Sequence, residues 1–240
     1  MSKMQGSKQQ KALSSERARF MPRKQKVWTI AYRPGPHSKP MSIPLGFALK
    51  DLLKIAKNSR EMKFMLNNSK VSVDGKVRKE RNFALGLFDI LELKEMKKAY
   101  RLLLDTNGRL VASEVPESEK FKLCRIKSKS TVKGKKVSIS TNDGRTFMFD
   151  STALKPGDSV KLKLPEGTIE KEIPMAEGSL VLLLSGKHVG ETAKISQITP
   201  GTLKKEVLLT LEAGDEEFQT VGKNVFVIGK EKREIRTFKE

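Results

Sequence analysis

Apolar and polar positions follow different periods in successive parts of this chain. Through residues 1–42 apolar side chains are sparse and form no continuous face. The pattern predicts an irregular arm, with a short helix around Leu13–Phe20 that starts near Ser14 or Ser15. Pro22, Pro34, Pro36 and Pro40 prevent a longer helix. Trp28, Ile30 and Tyr32 alternate as an anchored extended segment would. From Ile43 the period changes. Leu45, Leu49, Leu52, Leu53 and Ala56 fall at i, i+4, i+7, i+8 and i+11, which predicts an amphipathic helix over Ile43–Lys57 with Pro44 in its first turn. Lys50, Lys54 and Lys57 stay on its wet side. A second helix is expected from Asn58 to about Leu66. Asn58 with Glu61 resembles a capping box, Ser59 is a rival cap, and Met62, Met65 and Leu66 face inward.

The stretch Lys70–Leu93 then reads as a short strand, a tight turn, a basic segment and a second strand. Val71 and Val73 flank Ser72 as in a half-buried strand, and Asp74-Gly75 is a tight-turn signal. Lys76, Arg78, Lys79 and Arg81 follow within six residues, ahead of a strand at Leu87–Leu93. On an extended chain these cations cannot all share one face. Beyond Lys94 the pattern is all-β, with strands at Tyr100–Leu104, Arg109–Ser113, Phe121–Lys127, Val137–Thr141, Arg145–Phe149, Val160–Leu164 and Ile169–Ile173. Turn signals every 8–12 residues suggest a compact sheet or barrel. Glu114–Glu119 would cover an edge. Further on, Leu180–Leu184, Ala193–Ile198, Val207–Leu211 and Asn224–Ile228 read as strands, and Lys230–Glu240 as a fraying tail.

Charge sharpens this picture. The net charge is +20, and Lys and Arg outnumber acids ten to one in residues 1–40 but only ten to nine in residues 181–240. A strongly anionic partner should therefore meet the N-terminal half first. The arm, at +9 over 40 residues, is expected to be mobile alone and ordered on such a partner; a floppy solubilising tail is the alternative. The single cysteine, Cys124, cannot form an internal disulfide and reads as a small buried hydrophobe, which fits a reducing cytosol. No apolar run approaches 18 residues, and there is no secretory signal, so no membrane span is expected. The only histidines are His37 and His188, no metal-ligand spacing is present, and no phosphate-binding glycine loop occurs. The expectation is no catalytic residue, metal, cofactor or small-molecule substrate. Asp89 and Glu92 read as ordinary charge balance.

Four blocks carry a family resemblance: RPGPH (Arg33–His37), VDGKVR (Val73–Arg78), GLFDIL (Gly86–Leu91) and GKHVGETAKI (Gly186–Ile195). In this order the chain resembles the S4e family of archaeal and eukaryotic-type small-subunit ribosomal proteins. The resemblance implies an α+β multidomain chain: a basic arm (1–42), a helix–helix–β S4-type RNA-binding module (43–95), a central β-rich domain (96–176) and an SH3-like barrel bearing a KOW motif, with the tail (177–240). It also implies a structural role in the cytoplasmic ribosome, with small-subunit ribosomal RNA and neighbouring ribosomal proteins as partners.

Docking would be onto phosphates, with shape rather than sequence choosing the site. The candidate contacts are Arg33, Arg60, Lys63, Lys76, Arg78, Lys79 and Arg81, with Lys187 and Lys194 secondary. The arm adds Lys8, Lys11, Arg17, Arg19, Arg23, Lys24, Lys26 and His37. A solvated basic face is the plain alternative for each. The rivals in function are a free RNA-binding regulator, an RNA-modifying enzyme with an appended S4 domain, and a KOW-bearing transcription factor. Few aromatics argue against a base-stacking single-strand binder.

Overall fold

A computed structural model describes residues 9–116, 119–134, 136–202, 205–214, 216–230 and 232–238. Among the described residues the fold is mostly β with two short α-helices, and the chain divides into two compact units. One comprises Met1–Leu102 and Arg109–Glu117, the other Leu103–Gly108 and Ser118–Glu240.

In the first unit, β1 (Gln10–Lys11) pairs with β2 (Trp28–Thr29), and β3 (Ser42–Pro44) precedes helix α1 (Leu45–Phe47). After α1 the backbone widens into a π-helical turn, Ala48–Leu52. Helix α2 covers Ser59–Asn67. Strands β4 (Val71–Val73), β5 (Lys76–Val77), β6 (Ala84–Gly86), β7 (Ile90–Leu93), β8 (Lys98–Leu104) and β9 (Leu110–Val115) follow. β3 pairs with β6, and a five-stranded sheet has the order β5-β4-β7-β8-β9.

The helix expected over Ile43–Lys57 is shorter than its periodicity suggests. Ile43 belongs to β3 and lies opposite Leu85. The Leu53 amide donates to the Ala48 carbonyl at 2.9 Å, and the chain leaves the helix at Lys54, whose φ is +54°. The amides of Ile55 and Ala56 both turn back to the Leu49 carbonyl, so Ala56 is buried by a wide loop rather than by a further helical turn. α2 follows its local signals. The Asn58 side chain accepts from the Arg60 and Glu61 amides at 2.9 Å, and Met62 and Leu66 are buried. β4 is buried along its whole length, Ser72 included, because it lies between β5 and β7.

The described part of the arm packs against other segments of the chain. Ala12 and Ala18 are buried, the Ala12 amide donates to the Val27 carbonyl, and the Leu110 amide donates to the Ala18 carbonyl. The helix expected around Leu13–Phe20 is only a 3₁₀ turn at Ala12–Ser14, which leaves Leu13 and Phe20 exposed. Backbone pairing to other segments, rather than local propensity, orders these residues.

The second unit holds two five-stranded antiparallel sheets. The first contains β10 (Phe121–Thr131), β11 (Val137–Thr141), β12 (Thr146–Phe149), β13 (Ser159–Lys163) and β14 (Thr168–Ile173), in the order β12-β11-β10-β13-β14. Its core is Cys124, Ile126, Ile139, Leu154, Val160 and Leu162; burying each large aliphatic side chain contributes about 1.5–3 kcal/mol. Beside this core, Lys122 Nζ lies 3.2 Å from Asp143 Oδ2, with both side chains 2% exposed. Cys124 donates to the same carboxylate at 3.3 Å. Burial alone would raise the Asp143 carboxyl, but Lys122, Thr141, Arg145 and Cys124 outweigh it and hold the group below its ordinary value. Burial pushes the Cys124 thiol well up.

The second sheet has the order β18-β17-β16-β15-β19, from β15 (Leu180–Leu183), β16 (Thr192–Thr199), β17 (Leu208–Ala213), β18 (Glu216–Val221) and β19 (Val225–Gly229). The sequence reading missed β18. Its acidic, polar composition is that of an edge strand exposed on one side. Arg125 bridges the sheets by donating to the Gly222 and Lys223 carbonyls at 2.9 and 2.7 Å. The described tail is also packed rather than frayed: Ile235 and Thr237 are buried, and Glu234 pairs with Lys161 and Lys171.

Candidate nucleic-acid interface

The basic stretch after β4 is fixed at both ends. Asp74 and Gly75 both have positive φ, +50° and +77°, and set Val73 opposite Lys76. The Asp74 carboxylate is not solvated. It accepts the Ile90 amide at 3.0 Å, which ties the turn to β7. Downstream, the Arg81 and Phe83 carbonyls accept the amides of Gly46 and Leu45 at 2.8 Å, satisfying the start of α1. The backbone carrying Lys76–Arg81 is thus held by a turn and a helix end.

Its side chains diverge. Lys76, Lys79 and Arg81 are exposed. Arg78 is half-buried, with its guanidinium 4.4 Å from the Phe83 ring centre. Arg33 is exposed and paired with Glu80. Arg60 and Lys63 are exposed on α2, where Phe64 is also exposed and lies under Lys70.

In the arm, Lys11, Arg17, Arg23, Lys24 and Lys26 are exposed. Lys8 lies outside the described residues. Two of the candidate contacts are engaged inside the protein. Arg19 is 2% exposed and sits between the rings of Tyr32 and Phe47, at 4.7 and 5.2 Å. It donates to Thr29 Oγ1 at 2.7 Å and to the Ile30 carbonyl at 3.1 Å, so it is an internal anchor of the arm. Burial pushes the Tyr32 phenol up against the lowering pull of Arg19. The His37 side chain is 6% exposed, lies 2.9 Å from Asp89 Oδ2 and borders the larger of the two hollows between arm and basic loop. Asp89 is 2% exposed and is the buried partner of His37 and of the Gly86 amide.

Arm and basic loop converge on two hollows. The larger, about 1360 Å³, is lined by Lys11, Arg33, Lys39 and Arg81 among others, with Glu16 as its acid. The smaller, about 350 Å³, is lined by Lys26, Lys50 and Arg81, with Asp51 as its acid. Arg81 borders both. Sequence reasoning missed Lys39 and set Lys50 aside as a wet helix residue. Lys39 follows the proline-rich His37 segment directly, a weak signal; only the fold turns Lys50 toward the arm.

In the second unit, Lys187 and Lys194 are exposed. Lys194 lines a separate hollow of about 570 Å³ with Lys230 and Glu177. His188 stacks on Phe218 with ring centres 4.3 Å apart, and its Nδ1 lies 3.0 Å from Glu191. Among the described residues no group of three potential metal ligands occurs, and no helix is long and apolar enough to cross a membrane.

The model of the ribosomal family S4e matches residues 96–169. The small ribosomal subunit protein eS4 of Methanosphaera stadtmanae is 39% identical over 211 residues, covering 88% of this chain and 87% of that protein. The chain belongs to the S4e family. The eS4 protein of Methanothermobacter thermautotrophicus is 38% identical over 215 residues, covering 88% of each chain. A crystal structure of the 30S ribosomal protein S4e from Thermoplasma acidophilum matches with a TM-score of 0.69 and 31% identity, over 79% of this chain and 96% of that one. S4e membership spans both units, whereas the family model itself matches only β8 through the early part of β14.

Proposed function

We propose that this chain is a structural constituent of the small ribosomal subunit that grips ribosomal RNA through the basic face of its first unit. Its family is one of ribosomal structural proteins and not of enzymes. The observation that carries the RNA reading is the convergence of cations from the arm, the π-helical turn (Lys50) and the basic loop around Arg81. Such a cluster repels itself unless a polyanion neutralises it. The order α1, α2, β4, turn, β5 supports an S4-type module within residues 43–95, and the Gly186–Gly190 loop between β15 and β16 supports a KOW-bearing barrel in residues 177–240. The arm at 1–42 and a central β domain at 96–176 complete this division. Exposed Lys76, Lys79 and Arg81 are the foremost phosphate contacts. Lys11, Arg17, Arg23, Lys24, Lys26, Arg33, Arg60 and Lys63 extend them, and Lys187 and Lys194 would reach RNA or a neighbouring ribosomal protein in the cytoplasmic ribosome.

The test is binding to small-subunit RNA across a salt series, with sucrose-gradient co-sedimentation as the assembly readout. Lys76→Ala/Lys79→Ala/Arg81→Ala should weaken binding and shallow the log–log salt slope by about 0.7–0.9 per lost contact. A normally melting variant with wild-type affinity and slope would reduce the cluster to a solvated face.

A further inference from the structure

We propose that Trp28 is a stacking site for one unpaired nucleobase of RNA, with Lys11, Lys26 and Arg81 holding the phosphates on either side. This rests on the RNA reading above and adds to phosphate docking a contact with a base. Trp28 is the only tryptophan of the chain, and it is 54% exposed. It lies on the wall shared by the two hollows, so one indole borders both cation-lined spaces. β1 and β2 place Lys11 directly opposite Trp28, on the same face of the two-stranded ribbon.

The indole is carried on a fixed backbone. The Ala12 amide holds the Val27 carbonyl on one side. On the other, Arg19 holds Thr29 and the Ile30 carbonyl. A platform fixed before the ligand arrives loses little freedom on binding. Other exposed aromatics are placed differently: Phe20 lies under Arg109 and Phe64 under Lys70, at 4.4 and 4.7 Å. Among the described residues no cation lies over the indole.

An RNA base suits this site better than a protein side chain. The surroundings are basic, and the smaller hollow, at about 350 Å³, falls in the size range of small-molecule clefts. Folded RNA presents splayed bases flanked by phosphates, and any base offers a π face. The low aromatic content still argues against a long single-strand track; one stacked base needs one ring.

Since the chain has a single tryptophan, its emission reports on this position alone. Full-length protein is titrated with a single-stranded oligoadenylate of about a dozen nucleotides, a duplex RNA of equal length and inorganic polyphosphate. Single-stranded RNA should quench the indole, while duplex and polyphosphate bind without quenching. Trp28→Leu should weaken single-strand binding by about fivefold to a hundredfold with an unchanged salt slope, and Trp28→Phe should restore most of it. Single-strand binding that leaves both the indole emission and the Trp28→Leu affinity at wild-type behaviour overturns this inference and spares the phosphate-docking reading. Failure of the wild type to bind any RNA overturns both.

Discussion

His37 and Asp89 form a buried pair that joins two segments 52 residues apart, with Nε2 2.9 Å from Oδ2. The same carboxylate accepts the Gly86 amide at 2.8 Å, and the imidazole lies over Gly86 so closely that a Cβ there would come within 2.3 Å of Nδ1. The RPGPH and GLFDIL blocks are thus one structural joint. Asp89→Ala should destabilise the protein by about 3 kcal/mol, because it leaves a buried histidine and a buried amide without their acceptor. Gly86→Ala should cost about 1–3 kcal/mol by overlap with the ring, and much less in a His37→Ala background. Urea unfolding of Asp89→Ala, Gly86→Ala, His37→Ala and the Gly86→Ala/His37→Ala double measures this; equal costs of Gly86→Ala in both backgrounds would contradict the joint.

Arg19 holds the arm together through hydrogen bonds to Thr29 and Ile30 and the Tyr32 ring, and meets the body at the Phe47 ring. Arg19→Ala should cost about 2–3 kcal/mol and free the arm. Trypsin should then cut faster at Arg17 and at Arg23, Lys24 and Lys26. Arm cleavage at the wild-type rate in the absence of RNA would mean that the arm is already loose.

Asp143 makes acid stability a test of the second unit. Its folded-state carboxyl sits below the ordinary value of 3.8, with burial opposed chiefly by Lys122. The stability it contributes is therefore complete above that value and is lost as pH falls through the lower folded value. Asp143→Asn should be less stable at neutral pH, by about 3 kcal/mol, and should show a shallower loss of stability in acid. Thermal melts from neutral pH downward give both quantities, and parallel curves for variant and wild type would refute the assignment.

Gly190 and Gly186 separate two reasons for glycine. Both have positive φ, +77° and +106°. A Cβ on Gly190 would lie 2.6 Å from the Asp105 carbonyl oxygen, whereas one on Gly186 would meet open space. Gly190→Val should cost about 3 kcal/mol and Gly186→Val about 1–2 kcal/mol. Melting of the full-length variants ranks them; the reverse order would place the close approach elsewhere.

Features set by neighbours along the chain were legible in the sequence. Asn58 caps α2 because its side chain reaches amides two and three residues on. Asp74-Gly75 makes its turn because both residues tolerate positive φ. Strand positions beyond Lys94 follow from period-two alternation and turn residues, and a net charge concentrated in the arm pointed to a polyanion before any fold was in hand. β18 escaped because an edge strand needs no continuous apolar face to pair. α1 fell short because spacing alone does not tell a helix from a wide loop that buries the same Ala56. Tertiary structure alone decided what each charge does. Arg19 and Arg81 are the same residue type in the same basic background, yet one is enclosed by Tyr32 and Phe47 while the other borders two open hollows. Burial and ion pairing depend on segments tens of residues away, and no local period encodes those distances.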